Sequence, residues 1–347
     1  MVNWCFGDSF DLYAAPADAV AGYWDSGTTT LFTLVAGRFS GSRAVQSTAT
    51  AGVWLAKNSG SNDAVHHIVV AFQQTAALSG TTIALYLQLL DGVGNGQCSI
   101  NFLSSGNITL TSVGPAGTVL DTWTGGVNAQ NTWIAYEFEV VINNTTGSWA
   151  VRRNGNTSND HAVGSLNTRG TTANNWANRL AIGQNVSISN QLLDDILWRS
   201  DAASVPWVGD VRCYTRMPSS DASVQFTPLS GTTNFSQVSE AHQDGATSYV
   251  FDATVGHADF YNIAALAATP ASVVAVTTRG FAEKSDAGAR SGAVQLKSGG
   301  ITIASPSTAL ATSFGWLWRT DQTDPNTGAA WTPLGVNGVQ IGPVVTA

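Results

Sequence analysis

The chain is 347 residues long, with 44% hydrophobic and only 11% charged residues, against about 25% charged in ordinary soluble domains. A formal charge of -8, from 15 basic and 23 acidic side chains with no basic run longer than Arg152-Arg153, excludes the positive footprint of a nucleic-acid groove. No apolar run reaches the roughly 18 residues of a spanning helix, so no membrane insertion is expected, and Cys5, Cys98 and Cys213, odd in number and far apart, read as buried free thiols.

In chain order, Trp4, Phe6, Phe10 and Leu12 around Gly7-Asp8 predict an edge strand, residues 14–21 a loop or one helical turn, and residues 31–35 a short strand. The stretch GRFSGSRAVQ (37–46) alternates Arg38, Ser40 and Ser42 with Phe39 and small residues. Residues 52–57 place Val53 and Leu55 on one side with Trp54 between them. HHIVVAF (66–72) is a continuous apolar strand after two histidines. TIALYLQLL (82–90) puts Ile83, Leu85, Leu87 and Leu89 on one face and Tyr86 on the other. A hairpin over 99–111 turns at Ser105-Gly106, and residues 118–123 form a further strand.

The most informative stretch is NTWIAYEFEVVINNTTGSWAVRRNG (131–155). Trp133, Ala135, Phe138, Val140 and Ile142 nearly alternate with polar or smaller residues, residues 143–147 are turn formers, and Trp149 and Val151 restart the alternation toward Asn154-Gly155. Two long antiparallel strands with one apolar face cannot stand alone and need a second sheet. Residues 157–178 are polar and Asn-rich and read as a long loop, functional or an assembly contact. In LLDDILW (192–198), strict alternation puts Leu193, Asp195 and Leu197 on one face and Asp194, Ile196 and Trp198 on the other. The acidic pair is expected at a rim, or with one member held by backbone donors.

Residues 200–207, interrupted by Pro206, form a junction between a first domain (1–203) and a C-terminal β-rich domain (204–347). The second domain is either independent or packed on the first. Its strands are predicted at 211–215, 223–226, 249–251, 259–266, 272–279, 292–297 with 300–304, 314–319 and 336–345, with SVVAVTTR (272–279) the clearest core strand.

GRFSGSRAV, HHIVVAF, TIALYLQLL, the 131–155 hairpin and LLDDILWRSD, in that order, resemble the lectin/glucanase jelly roll of the concanavalin A and laminin-G type over roughly residues 1–200. Val208, Gly209, Asp210, Val211 and Arg212, then VQFTPLSGTTNFSQVSE, HQDGATSYV and SVVAVTTRGFAEKSDAGARSG, resemble virion structural proteins of tailed bacteriophages. The resemblance implies an all-β fold, a concanavalin A-like jelly-roll sandwich followed by a smaller β-rich domain. It also implies a place in the virion as a tail fibre, tail-tip, collar or head decoration part, with other virion proteins as partners and a homo-oligomer such as a trimer.

The chemistry-bearing residues are sparse. Glu137 and Glu139 flank Phe138 and share a face, as a sugar-facing polar stripe or a plain solvent-facing one. Both lie on one strand, without the Glu-x-Asp-x-x-Glu pattern of the jelly-roll glycosidases. His66 and His67 point to opposite faces and cannot readily share a metal. Structural calcium is the only ion the sequence leaves open, at Asp321, Asp324 and Asn326 or at Asp8 and Asp11, where turn chemistry is the plainer reading. No nucleophile elbow or phosphate loop is present. Trp176, Trp207, Trp316, Trp318 and Trp331 lie near loops or the junction and are the binding or interface candidates, with Trp316 and Trp318 sharing a strand face as an intersubunit or interdomain anchor or as intramolecular core. The expectation is a non-enzymatic structural subunit. A carbohydrate-binding module recognising a host-surface glycan is the alternative, and a polysaccharide-degrading enzyme comes third.

Overall fold

The computed structural model describes residues 1–347 other than 49, 76, 78, 93, 128 and 186–190. The chain is all-β, as its alternating stripes predict. The first region contains β1 (Trp4–Asp8), a short helix α1 (Pro16–Ala19), β2 (Phe32–Ala36), β3 (Arg43–Ser47), β4 (Gly52–Asp63), β5 (Val65–Gln74), β6 (Ile83–Leu90), β7 (Gly96–Leu103), β8 (Ile108–Ser112), β9 (Val119–Trp123), β10 (Ile134–Val141), β11 (Gly147–Arg153), β12 (His161–Leu166), β13 (Ala177–Gln184) and β14 (Gln191–Asp201). They pair antiparallel into two sheets, β12-β11-β10-β5-β14-β3-β2 with β1 beside β14, and β4-β13-β6-β7-β8-β9. The chain crosses between sheets at β3–β4, β4–β5, β5–β6, β9–β10, β12–β13 and β13–β14, which makes the sandwich a jelly roll.

The core lies between the sheets. Leu85, Leu87 and Leu89 of β6, Cys98, Ile100 and Phe102 of β7 and Ile108 and Leu110 of β8 meet Ile68, Val70 and Phe72 of β5 and Phe138, Val140, Trp149 and Val151 of the β10–β11 hairpin. That hairpin pairs Phe138 with Val151 and Val140 with Trp149, so both apolar stripes fall on one face. β5 reads as an unbroken apolar run because its other face is covered too. There Val65 and Val69 pack with Val2, Cys5, Leu197 and Val205.

Three expectations fail locally. Strict alternation in β14 breaks at a bulge, where the β5 register jumps between Asp194 and Leu197 and Asp195 takes a left-handed φ of 49°. Leu193, Ile196 and Trp198 therefore share the core face while Leu197 turns to the opposite side. A register shift at Ile182/Gly183 similarly lets both Trp54 and Leu55 into the core and leaves Val53 exposed. The predicted 157–178 loop contains β12, an edge strand too short of apolar groups to show in the pattern.

Residues 202–217 cross to the C-terminal region without joining any sheet, so the strand expected at 211–215 is absent. Beyond them come β15 (Pro218–Ser223), β16 (Thr227–Pro228), β17 (Val250–Phe251), β18 (Phe260–Ile263), β19 (Val276–Ala282), β20 (Ser291–Ser298), β21 (Ile301–Ala304), β22 (Thr308–Ala309), β23 (Gly315–Asp321), a short helix α2 (Pro333–Asn337) and β24 (Gln340–Val345). The main sheet is β15-β18-β24-β20-β21, with β16–β17 and β19–β23 as separate pairs. The strand expected over 272–279 begins only at Val276. Among the described residues no ladder joins the two regions; they meet through side chains and scattered backbone bonds, chiefly where the β19–β23 pair lies against the N-terminal segment.

Candidate functional site

The segment 202–217 is a strap. It has no ladder, so its amides need other acceptors, and buried carboxylates of the jelly roll supply several. At its start, Glu137 of β10 is buried; its Oε1 accepts the Val208 amide (2.9 Å) and its Oε2 the Gly209 amide (2.7 Å). His67 of β5 lies between two carboxylates, with Nδ1 3.1 Å from Glu137 and Nε2 2.9 Å from Glu139. Trp207 sets its ring against His67 (centroids 4.7 Å apart), and the Arg152 guanidinium stacks over Trp207 at 4.0 Å. Burial acts to lower the His67 pKa, but the bonds to Glu137 and Glu139 outweigh it and hold it above the usual value. The neighbouring His66, fully buried, is pushed down to about 4 by that burial, and its Nδ1 accepts from the Trp198 indole (3.3 Å).

Further along, Asp210 receives both ends of the Arg38 guanidinium at 2.7 and 2.6 Å, a bidentate pair. Asp195 at the bulge accepts the Cys213 amide (2.8 Å), and Asp194 accepts the Arg38 amide (2.8 Å) and the Asp195 amide (2.8 Å). Both bulge carboxyls are buried, and Asp195 Oδ2 has no hydrogen-bond partner, its nearest cation being Arg38 Nη1 at 3.7 Å. Burial pushes Asp194 up to about 7 and Asp195 up to about 6, the Asp195 charge adding to the rise at Asp194 and the Cys213 amide and Arg38 restraining that at Asp195. The two protons belong to the pair. Asp11 is also raised by burial; it accepts the Arg43 amide (2.8 Å) and the Thr215 and Ser9 hydroxyls. Arg212 stacks over Phe39 (3.8 Å) and Tyr214 (4.0 Å).

Glu137 is thus not part of a solvent- or sugar-facing stripe, while Glu139 is partly exposed and tied to His67. The strap returns over that face of the sheet, and both Glu137 oxygens are taken by its amides. Nor does the Asp194–Asp195 pair sit at a rim; backbone donors hold both members.

The tryptophan candidates do not converge. Trp207 caps the His67 clasp, and Trp176 is half-buried beside Gly92. Trp316 joins the jelly-roll core and donates to the Asp18 carbonyl (2.7 Å), and half-buried Trp318 donates to the Gly22 carbonyl (3.1 Å). Both anchor the C-terminal region to the jelly roll within one chain. Trp331 is buried in a small separate cluster with Leu296, Val336 and Val339. The calcium candidates are engaged internally: Asp8 binds Tyr13, Trp24 and Arg279, Asp321 binds Arg319, and Asp324 caps the Asn326 amide. Among the described residues, no three His, Cys, Asp or Glu side chains are arranged to hold a metal ion.

Sequence reading missed two further features. The strap's acceptors lie far from it in sequence, and the Val-Gly-Asp-Val-Arg run within it read as the approach to a strand at 211–215. On the face of the second sheet turned away from the core, Ser99 donates to Asn101 (2.8 Å), Asn101 to Thr111 (2.9 Å) and Thr111 to the Gly114 carbonyl (2.8 Å). The polar positions 99, 101, 109 and 111 were the available signal. The Asn-rich loop docks nearby, with the Gly170 amide on Gln97 (2.7 Å) and Thr172 (2.8 Å) and Asn174 (2.9 Å) on Asp91.

No family model matches the chain, and no curated protein matches it in sequence. Solved structures of similar shape include the carbohydrate esterase of Shiga toxin-encoding bacteriophage phi24B (16% identity, TM-score 0.39, covering 57% of this chain and 98% of that one). Others are the catalytic domain of a glycoside hydrolase family 131 protein from Coprinopsis cinerea (14%, 0.38, 60% and 98%) and the VIP36 exoplasmic/lumenal domain (11%, 0.33, 52% and 88%). All three TM-scores lie below 0.5, too low for the likeness to speak to activity.

Proposed function

We propose that the chain is a non-catalytic structural subunit of a particle, of the tailed-phage virion kind that its sequence resembles. In this reading the jelly roll is a platform and the C-terminal region makes the subunit contacts. The observation that carries it is the thin core of that region. Its own buried apolar cluster is Leu296, Trp331, Val336 and Val339, with Tyr261, Val294 and Leu317 buried beside other elements, while Leu334 (83%), Val255 (64%) and Phe251 (51%) are exposed, with Ile301, Leu229 and Val224 also outside. In this reading those outward apolar side chains are what a neighbouring subunit covers. A chain with 11% charged residues can bury such a surface without stranding ions. Analytical ultracentrifugation at micromolar concentration tests this: a closed oligomer is expected, and a chain still monomeric at about 100 μM, a concentration at which even weak interfaces assemble, would overturn it.

The runner-up reading is saccharide binding on the second sheet. It draws on half-buried Trp176 and the Asn-rich loop at the edge of that sheet; the amide–hydroxyl row at Ser99, Asn101 and Thr111 is buried and bonded to itself, so it supports the sheet beneath and does not face a ligand. A glycan array decides it; selective binding lost on Trp176→Ala supports it, and uniform silence removes it.

A further inference from the structure

We propose that the strap 202–217 is a proton-dependent latch, fastened to the jelly roll while His67 and the Asp194–Asp195 pair carry protons and loosened as those protons leave. It goes beyond the assembly reading and does not rest on it.

The first clasp makes the case by hydrogen-bond geometry. Both ring nitrogens of His67 face carboxylate oxygens, at 3.1 and 2.9 Å. Only the imidazolium has two N–H donors; a neutral ring turns a lone pair toward one of the two carboxylates. The other charged groups around it are Arg199 of β14, engaged with the Pro206 carbonyl (2.9 Å), Arg152 of β11 across Trp207, and neutral His66, turned to the other side of β5. Loss of the His67 proton therefore sets Glu137 and Glu139 against each other, and Glu137 is the group that holds Val208 and Gly209.

The second clasp makes it by charge balance. The bulge pair is faced by Asp8 and Asp11 from β1 and the residues after it, by Arg38 from the β2–β3 turn, and by Asp210, Arg212 and Cys213 of the strap. Arg43 of β3 is directed instead to the Tyr13 and Ala14 carbonyls. Arg38 is already held by both oxygens of Asp210. A second negative charge on the pair has Asp195 Oδ2, buried and without a hydrogen bond, as its seat, and such a charge is costly. Asp195 holds the Cys213 amide, and Asp194 holds Arg38 and through it Asp210.

The sign is the same at both clasps. Folded-state values lie above the unfolded ones for His67, Asp11, Asp194 and Asp195. Their contribution is full below the unfolded values and is lost as pH rises through the folded ones: from about 4 to about 7 for the pair, and above the ordinary 6.5 for His67. The latch opens toward alkaline pH.

Hydrogen exchange on the full chain from about pH 5.5 to 8.5, corrected for intrinsic rates, tests it. Strap peptides covering Val208, Gly209 and Cys213 are expected to lose at least about tenfold protection while β5 and β10 keep theirs. Asp194→Asn, fixed in the neutral form, is expected to flatten the profile at Cys213 and leave Val208 and Gly209 responsive. Glu139→Gln, at a partly exposed position that tolerates the change, is expected to shift the Val208–Gly209 loss to lower pH. Strap protection that is flat or rises with pH, or that falls only together with the core, overturns the latch. So does a wild-type profile in either folded variant. The readout is one chain's amides, so it is independent of whether the chain assembles.

Discussion

Arg279 shows how one side chain ties the two regions together. It extends from β19 into the jelly roll, where its guanidinium meets Asp8 (3.1 Å) and the Tyr13 hydroxyl (3.0 Å) and lies over the Tyr23 and Trp316 rings at 3.6 and 4.3 Å. Asp8 is buried and also accepts from Tyr13, Trp24 and the Phe10 amide. Removing the cation leaves a buried carboxylate without its counter-charge, which costs about 3–5 kcal/mol in comparable pairs. Arg279→Met is therefore expected to lower the unfolding free energy read from urea titration by that much at pH 7, and Arg279→Lys to recover only part, since an ammonium lacks the planar face that lies over the Tyr23 and Trp316 rings. An unchanged midpoint in Arg279→Met would show that the C-terminal region is held elsewhere.

At the scale of elements, the bulge in β14 decides which side chains reach the core and where the strap attaches. Asn tolerates the left-handed conformation of Asp195 nearly as well as Asp does, and its carbonyl can accept the Cys213 amide. Asp195→Asn is thus expected within about 1 kcal/mol of wild type at pH 5.5 and above it at pH 8.5, because the wild type alone must hold a second buried charge there. Urea midpoints at the two pH values measure the crossover, and parallel curves would refute it. The bulge also marks where sequence reading stops. Alternation was legible in β6, β7, β8 and the β10–β11 hairpin because each sets an apolar face against a more polar one, even where loops or the strap cover that second face. It misled at Asp194–Asp195, where one inserted residue exchanges the faces, and at 211–215, where Val211 and Cys213 alternate as in a strand but Val211 packs on the Val65–Val69 cluster and the Cys213 amide goes to the buried Asp195. The role of Glu137 was hidden for the same reason: what covers it arrives from 71 residues away.

For the whole molecule, low charge and an unevenly distributed core have a joint consequence. The jelly roll encloses its aromatic groups, with Trp24, Trp54, Trp149 and Trp198 all fully buried, while the C-terminal sheet keeps a thin cluster and outward apolar groups. If those groups meet a second copy, association rests on apolar area and little on ion pairs. Raising salt from about 50 to 500 mM then leaves the association constant nearly unchanged, since only exposed charges are screened, and sulfate strengthens it by favouring burial. Leu334 on α2 and Phe251 on β17 are the sharpest probes. Full burial of either is worth about 1.5–3 kcal/mol, so Leu334→Asp or Phe251→Asp is expected to weaken association at least about tenfold. Neither touches the chain's own core, so the thermal midpoint of the monomer is expected to hold. Sedimentation across a concentration series reads the first effect and calorimetry at high dilution the second. A variant that loses stability without losing association places that residue in the chain's own packing and removes it from the contact surface.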